Sequence, residues 1–67
     1  MGDQRHTEVN VLGYRIERVR TLDDRGDIAA QRYDVLAPGS QAVLGSFAHR
    51  AEAERHIISR ELAAIAA

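Results

Sequence analysis

The chain has 67 residues, nine arginines with no lysine against ten acids, a formal charge of −1 and no cysteine. That length gives one domain, of a size that buries only about 60% of its unfolded surface. With no disulfide to staple it, no net electrostatic pull toward nucleic acid, and no apolar run near the roughly 18 residues that a membrane span needs, secreted mini-scaffolds and spanning proteins are excluded as readings. The all-arginine usage beside many alanines fits a GC-rich genome and says nothing of function.

Residues 1–8 hold one apolar side chain, at Met1, and no apolar h-region of a signal peptide, so the sequence predicts a loose tail and a cytoplasmic home. The domain is expected over residues 9–67. Val9 and Val11 alternate with Asn10 but Gly13 follows closely, leaving open a strand start, a bulge or a segment that orders on a partner. Residues 12–20 place Leu12, Tyr14 and Ile16 on one face and Gly13, Arg15, Glu17 and Val19 on the other, the period of a half-buried strand. Asp23-Asp24-Arg25-Gly26-Asp27 is turn chemistry. It lacks the alternate spacing and distant Glu of a calcium loop.

A second strand is expected over residues 29–36, a turn at Ala37-Pro38-Gly39-Ser40, and a third strand over residues 41–47. Cross-strand charge selects a register with Ile16 opposite Tyr33, Glu17 opposite Arg32 and Arg15 opposite Asp34, because a shift by two would set Glu17 against Asp34. In the second hairpin Val35 is expected opposite Val43 and Tyr33 opposite Gly45.

From about residue 49 the run Arg50 to Leu62 is rich in Ala, Glu, Arg and Leu and free of Gly and Pro, which predicts a helix. At 100° per residue, Ala53, Ile57, Ile58, Leu62, Ala64 and Ile65 share a broad apolar arc opposite Glu52, His56, Ser59 and Arg60. The expected fold is therefore α+β: a three-stranded antiparallel meander with one C-terminal helix packed on the face formed by Leu12, Tyr14, Ile16, Tyr33, Val35, Val43 and Phe47. One helix shields one side of such a sheet.

The other side carries Arg15, Glu17, Val19, Arg32, Asp34 and Ser46 beside Ala30, Leu36, Ala42 and Leu44. The expected function is a small non-enzymatic regulatory or accessory module of a bacterium or phage. It acts by protein contact or self-association through Arg15, Val19, Arg32, Leu36 and Leu44. No nucleophile elbow or phosphate-cradling glycine loop is present, so no catalytic residue, cofactor or small-molecule substrate is expected. His49, Glu52 and His56 fall at i, i+3 and i+7, a spacing that can hold zinc but that a solvated polar face produces just as readily, and no metal is assigned to them. Tyr14 and Tyr33, able to stack on bases, fall on the core face.

With Gly45-Ser46-Phe47 followed by Ala51-Glu52-Ala53, like a Gly-x-Phe then Glu-Ala junction into a helix, the three-strand-plus-helix layout over residues 14–62 resembles the small DNA-binding modules of phage integrase arm domains and the plant AP2 domain. That resemblance implies a sheet face in the major groove, here through Arg15, Arg18, Arg20, Arg25 and Arg32. Glu17, Asp34 and the Asp23, Asp24, Asp27 cluster depart from the pattern and would oppose phosphate contact.

Overall fold

The computed structural model describes residues 2–66. Four strands, β1 (Gly2–Val11), β2 (Tyr14–Leu22), β3 (Ile28–Leu36) and β4 (Val43–Phe47), form one antiparallel sheet in the order β1-β2-β3-β4, and helix α1 (Arg50–Ala66) follows. The α+β class and the C-terminal helix are as the sequence predicts; the sheet has four strands where three were expected. The expected tail is strand β1 from Gly2 onward, and Met1 lies outside the described residues. Its sequence hid it because its first six described residues are exposed and carry no apolar alternation. An edge strand held by backbone pairing and ion pairs needs no apolar face.

A bulge between Thr7 and Val9 gives β1 two characters. Thr7 pairs with Glu17 and Val9 with the adjacent Ile16, so Glu8 is the extra residue and the strand changes face there. Arg5 and Thr7 consequently face away from the helix, while Val9 and Val11 pack on the helix side. The β1–β2 connection is a two-residue turn in which Leu12 (φ 53°) and Gly13 (φ 87°) both take positive φ, the pattern of the type I′ hairpin that matches sheet twist. Leu12 therefore projects from the hairpin tip, exposed, and the expectation that it joins the core is overturned.

The charge argument for register also fails. Ile16 pairs with Val35 and Glu17 with Asp34, the two-residue shift rejected on sequence, and Val19 pairs with Arg32. Two carboxylates are thereby neighbours across β2 and β3, a repulsion that Arg5 from β1 neutralises. The reversal comes from a residue that the three-strand reading had left outside the sheet. In the second hairpin Tyr33 pairs with Phe47, Val35 with Gly45 and Leu36 with Val43, so Leu44 is a bulge residue and Val43 points to solvent.

The helix-side core is Ile16, Val35, Ala53 and Ile57, lined by Val9, Val11, Tyr14, Tyr33, Leu44 and Phe47. Gly45 makes room for the Phe47 ring: a Cβ there would lie 3.1 Å from that ring, which packs at a tilt of 44° against His56 of the helix with centroids 5.1 Å apart. His49 opens the helix. Its carbonyl accepts from the Glu52 and Ala53 amides, and its own amide donates to Glu52 Oε1 at 3.1 Å, half of a capping box. Asp23 orders the β2–β3 turn as expected, its Oδ1 accepting from the Arg25 and Asp27 amides while Gly26 takes φ 83°.

Candidate interaction surface

The sheet face turned away from the helix is closed by charge. Asp34, 2% exposed, accepts from Arg5 Nη2 at 2.8 Å, Arg32 Nε at 2.9 Å and Ser46 Oγ at 2.7 Å. Glu17 accepts from Arg5 Nε at 3.0 Å and lies 3.9 Å from Arg15 Nη1. One guanidinium thus joins both carboxylates, the forked geometry in which arginine outperforms lysine. A carboxylate withdrawn from water costs several kcal/mol unless such partners surround it, so this face is a satisfied network.

The apolar strip proposed there is consequently absent from the surface. Val19 and Leu36 are each 1% exposed. Val19 stands in the ladder between Arg5 and Arg32, whose long stems are suited to covering it. Leu44 packs against the helix-side core through its bulge. Arg15 is half-buried and donates from Nη2 to the Ser40 carbonyl at 2.8 Å, tying down the β3–β4 loop. Of the five partner-contact residues read from sequence, Val19 and Leu36 are corrected to buried positions and Leu44 to a partly buried one on the helix side, while Arg15 and Arg32 are held in ion pairs.

The arginines assigned to DNA fare similarly. Arg18 Nη1 donates to Glu8 Oε1 at 2.8 Å and Arg20 Nε to Gln31 Oε1 at 2.7 Å, both on the helix-side face. Arg25 stands on the exposed β2–β3 turn, away from the others. Among the described residues the sheet brings no row of free guanidiniums together.

Exposed apolar side chains gather instead on the helix. Ile58, Leu62 and Ile65 are 48%, 61% and 79% exposed, whereas Ala53 and Ile57 are wholly buried. Adjacent residues on a helix lie 100° apart, so Ile57 and Ile58 cannot both point down, and the single arc read from the sequence is two faces. That Ile57-Ile58 pair was the signal available in the sequence. His49, Glu52 and His56 do not form a cage: among the described residues no three His, Asp or Glu groups are placed to hold a metal. His56 turns inward instead, with a buried Nε2 that lacks a hydrogen-bond partner among the described residues.

No family model, curated protein or solved structure matches this chain. The likeness to integrase arm and AP2 modules is drawn from the layout of strands and helix and from the strand-to-helix junction. No helix among the described residues is long and apolar enough to cross a membrane.

Proposed function

We propose that this chain is a non-enzymatic, cytoplasmic module that acts by protein–protein contact, and that the contact is made by the outer face of α1 rather than by the sheet. One observation supports this reading above the rest: three large aliphatic side chains at helical spacing, Ile58, Leu62 and Ile65, stand in water, while six apolar residues are buried among the described residues. A domain so small that leaves such a stripe uncovered exposes area it needs to bury. The DNA reading is the weaker one, because four of its five arginines already hold acceptors within the fold and so offer little counter-charge to phosphate.

A photocrosslinking amino acid at Leu62, with the same group at Arg25 as control, tests the reading in cells expressing the chain. A covalent adduct of one identified protein species, formed from position 62 and not from 25, is the expected result. Equal adducts from both positions, or none from 62, would sink it.

A further inference from the structure

Strand β1 is two segments joined at a bulge. Beyond Glu8, Val9 and Val11 pack on the core, and Glu8 itself accepts from Arg18 Nη1 at 2.8 Å. Before it, residues 2–7 are exposed, carry no apolar side chain and pair on one side only, with β2. Among the described residues their side chains hold the rest of the fold at two points: Arg5, through Glu17 and Asp34, and Asp3, whose Oδ1 accepts from Thr21 Oγ1 at 3.2 Å. An edge segment with so few tethers opens while the rest of the sheet stays folded. The bulge between Thr7 and Val9, where the ladder is already interrupted, is the place for it to part.

The slot that residues 2–7 leave has a defined complement. The edge of β2 from Glu17 to Leu22 then offers a row of unpaired backbone groups, which another extended strand satisfies. Beside it lie the carboxylates of Glu17 and Asp34, neighbours across β2 and β3. Without Arg5, Asp34 retains Arg32 and Ser46, whereas Glu17 retains Arg15 at 3.9 Å. A guanidinium entering opposite Val19 reaches both carboxylates, as Arg5 does, and an ammonium group has no fork with which to span them. The strand that fits therefore carries an arginine at that rung. Of the two edge strands in this chain, β4 has no charged residue and β1 has Arg5 in the required register.

We propose that residues 2–7 exchange between copies of this chain: the segment swings out at the bulge and seats on β2 of a second copy, where its Arg5 bridges that copy's Glu17 and Asp34. Exchange of an identical element reproduces the contacts that each chain makes with itself, so it is governed by concentration and joins chains without a new interface. It is independent of the contact assigned to α1.

Asp3 and Thr21 face each other across β1 and β2, and the chain has no cysteine. An Asp3→Cys chain mixed at high concentration with a Thr21→Cys chain in a glutathione buffer should give the mixed disulfide in several-fold excess over a control mixture of Asp3→Cys and Arg25→Cys chains. Adding Arg5→Ala to the Asp3→Cys chain, which donates the strand, should lower that yield. Adding it to the Thr21→Cys chain, whose own strand is then loosened, should raise it. Circular dichroism checks that each variant folds, and Arg5→Lys, which keeps the charge without the fork, replaces Arg5→Ala in a chain that does not. A mixed disulfide no more abundant than in the control, or a yield that the Arg5 substitution changes equally in either chain, would overturn the exchange. A synthetic peptide of residues 2–11 should suppress the mixed disulfide, and a scrambled peptide that retains the arginine should not. Equal suppression by the two would give the slot to any arginine-bearing strand and overturn the second copy as its occupant.

Discussion

Arg5 illustrates how one side chain can decide a register. Its partners, Glu17 and Asp34, are 12 and 29 positions away in sequence, and without it the observed pairing sets two carboxylates side by side. Arg5→Ala is expected to destabilise the fold by about 1–3 kcal/mol, the range for leaving buried acceptors short of a donor. Adding Glu17→Gln to Arg5→Ala should recover part of that loss by removing one of the two charges. Urea unfolding of the two variants checks both statements, and no recovery would mean that Arg5 acts through packing alone.

Leu12 shows a local choice overridden. A leucine in the left-handed region costs roughly 1–2 kcal/mol relative to the right-handed one, and the turn that requires it is one for which Asn-Gly is the favoured pair. Leu12→Asn should therefore raise stability by about 1 kcal/mol, read as a higher urea midpoint at unchanged slope. Gly13→Ala should lower it, since the residue sits at φ 87°. The Gly13 signal was legible in the sequence as a break in the strand pattern, but the hairpin was not, because Leu12 argued for a strand running on.

At the scale of elements, the helix divides into a lower and an outer face that adjacent residues report separately. Ile57→Ala opens a cavity in a core of few side chains and is expected to cost about 2–5 kcal/mol. Ile58→Ala, one position along, should cost less than about 1 kcal/mol in the monomer and act on association instead. If the two substitutions destabilise equally, the face assignment is wrong. Gly45→Ala is expected to cost about 1–3 kcal/mol, because the new methyl would lie 3.1 Å from a Phe47 ring already packed against His56. Helix period was legible from composition and spacing, but its apolar arc spans both faces, and only the position of the sheet shows which part is covered.

Over the whole molecule, the described residues form an elongated body of 48 × 21 × 15 Å. The helix-side core sits on the rungs from Val11 and Tyr14 to Tyr33 and Phe47; beyond it the rung Gln4–Arg20–Gln31 is polar, and the last rung, Gly2–Leu22–Ile28, leaves Ile28 exposed rather than packed in the core. Stability should follow that division. Native-state amide exchange is expected to be slowest around Ile16 and Val35 and fastest in the first half of β1, which pairs on one side only. Protection in residues 2–6 equal to that of the core would contradict it.

What the residues determine by themselves is local: the alternation of β2 and β3, the Asp23 and Pro38 turns, the helix and its approximate start, each a property of neighbours a few positions apart. The tertiary structure decided the fourth strand, the register and which apolar side chains remain in water. Those depend on Arg5 reaching Glu17 and Asp34 and on bulges at Glu8 and Leu44 that exchange faces. Long-range pairings of that kind have energies that no short window of sequence contains.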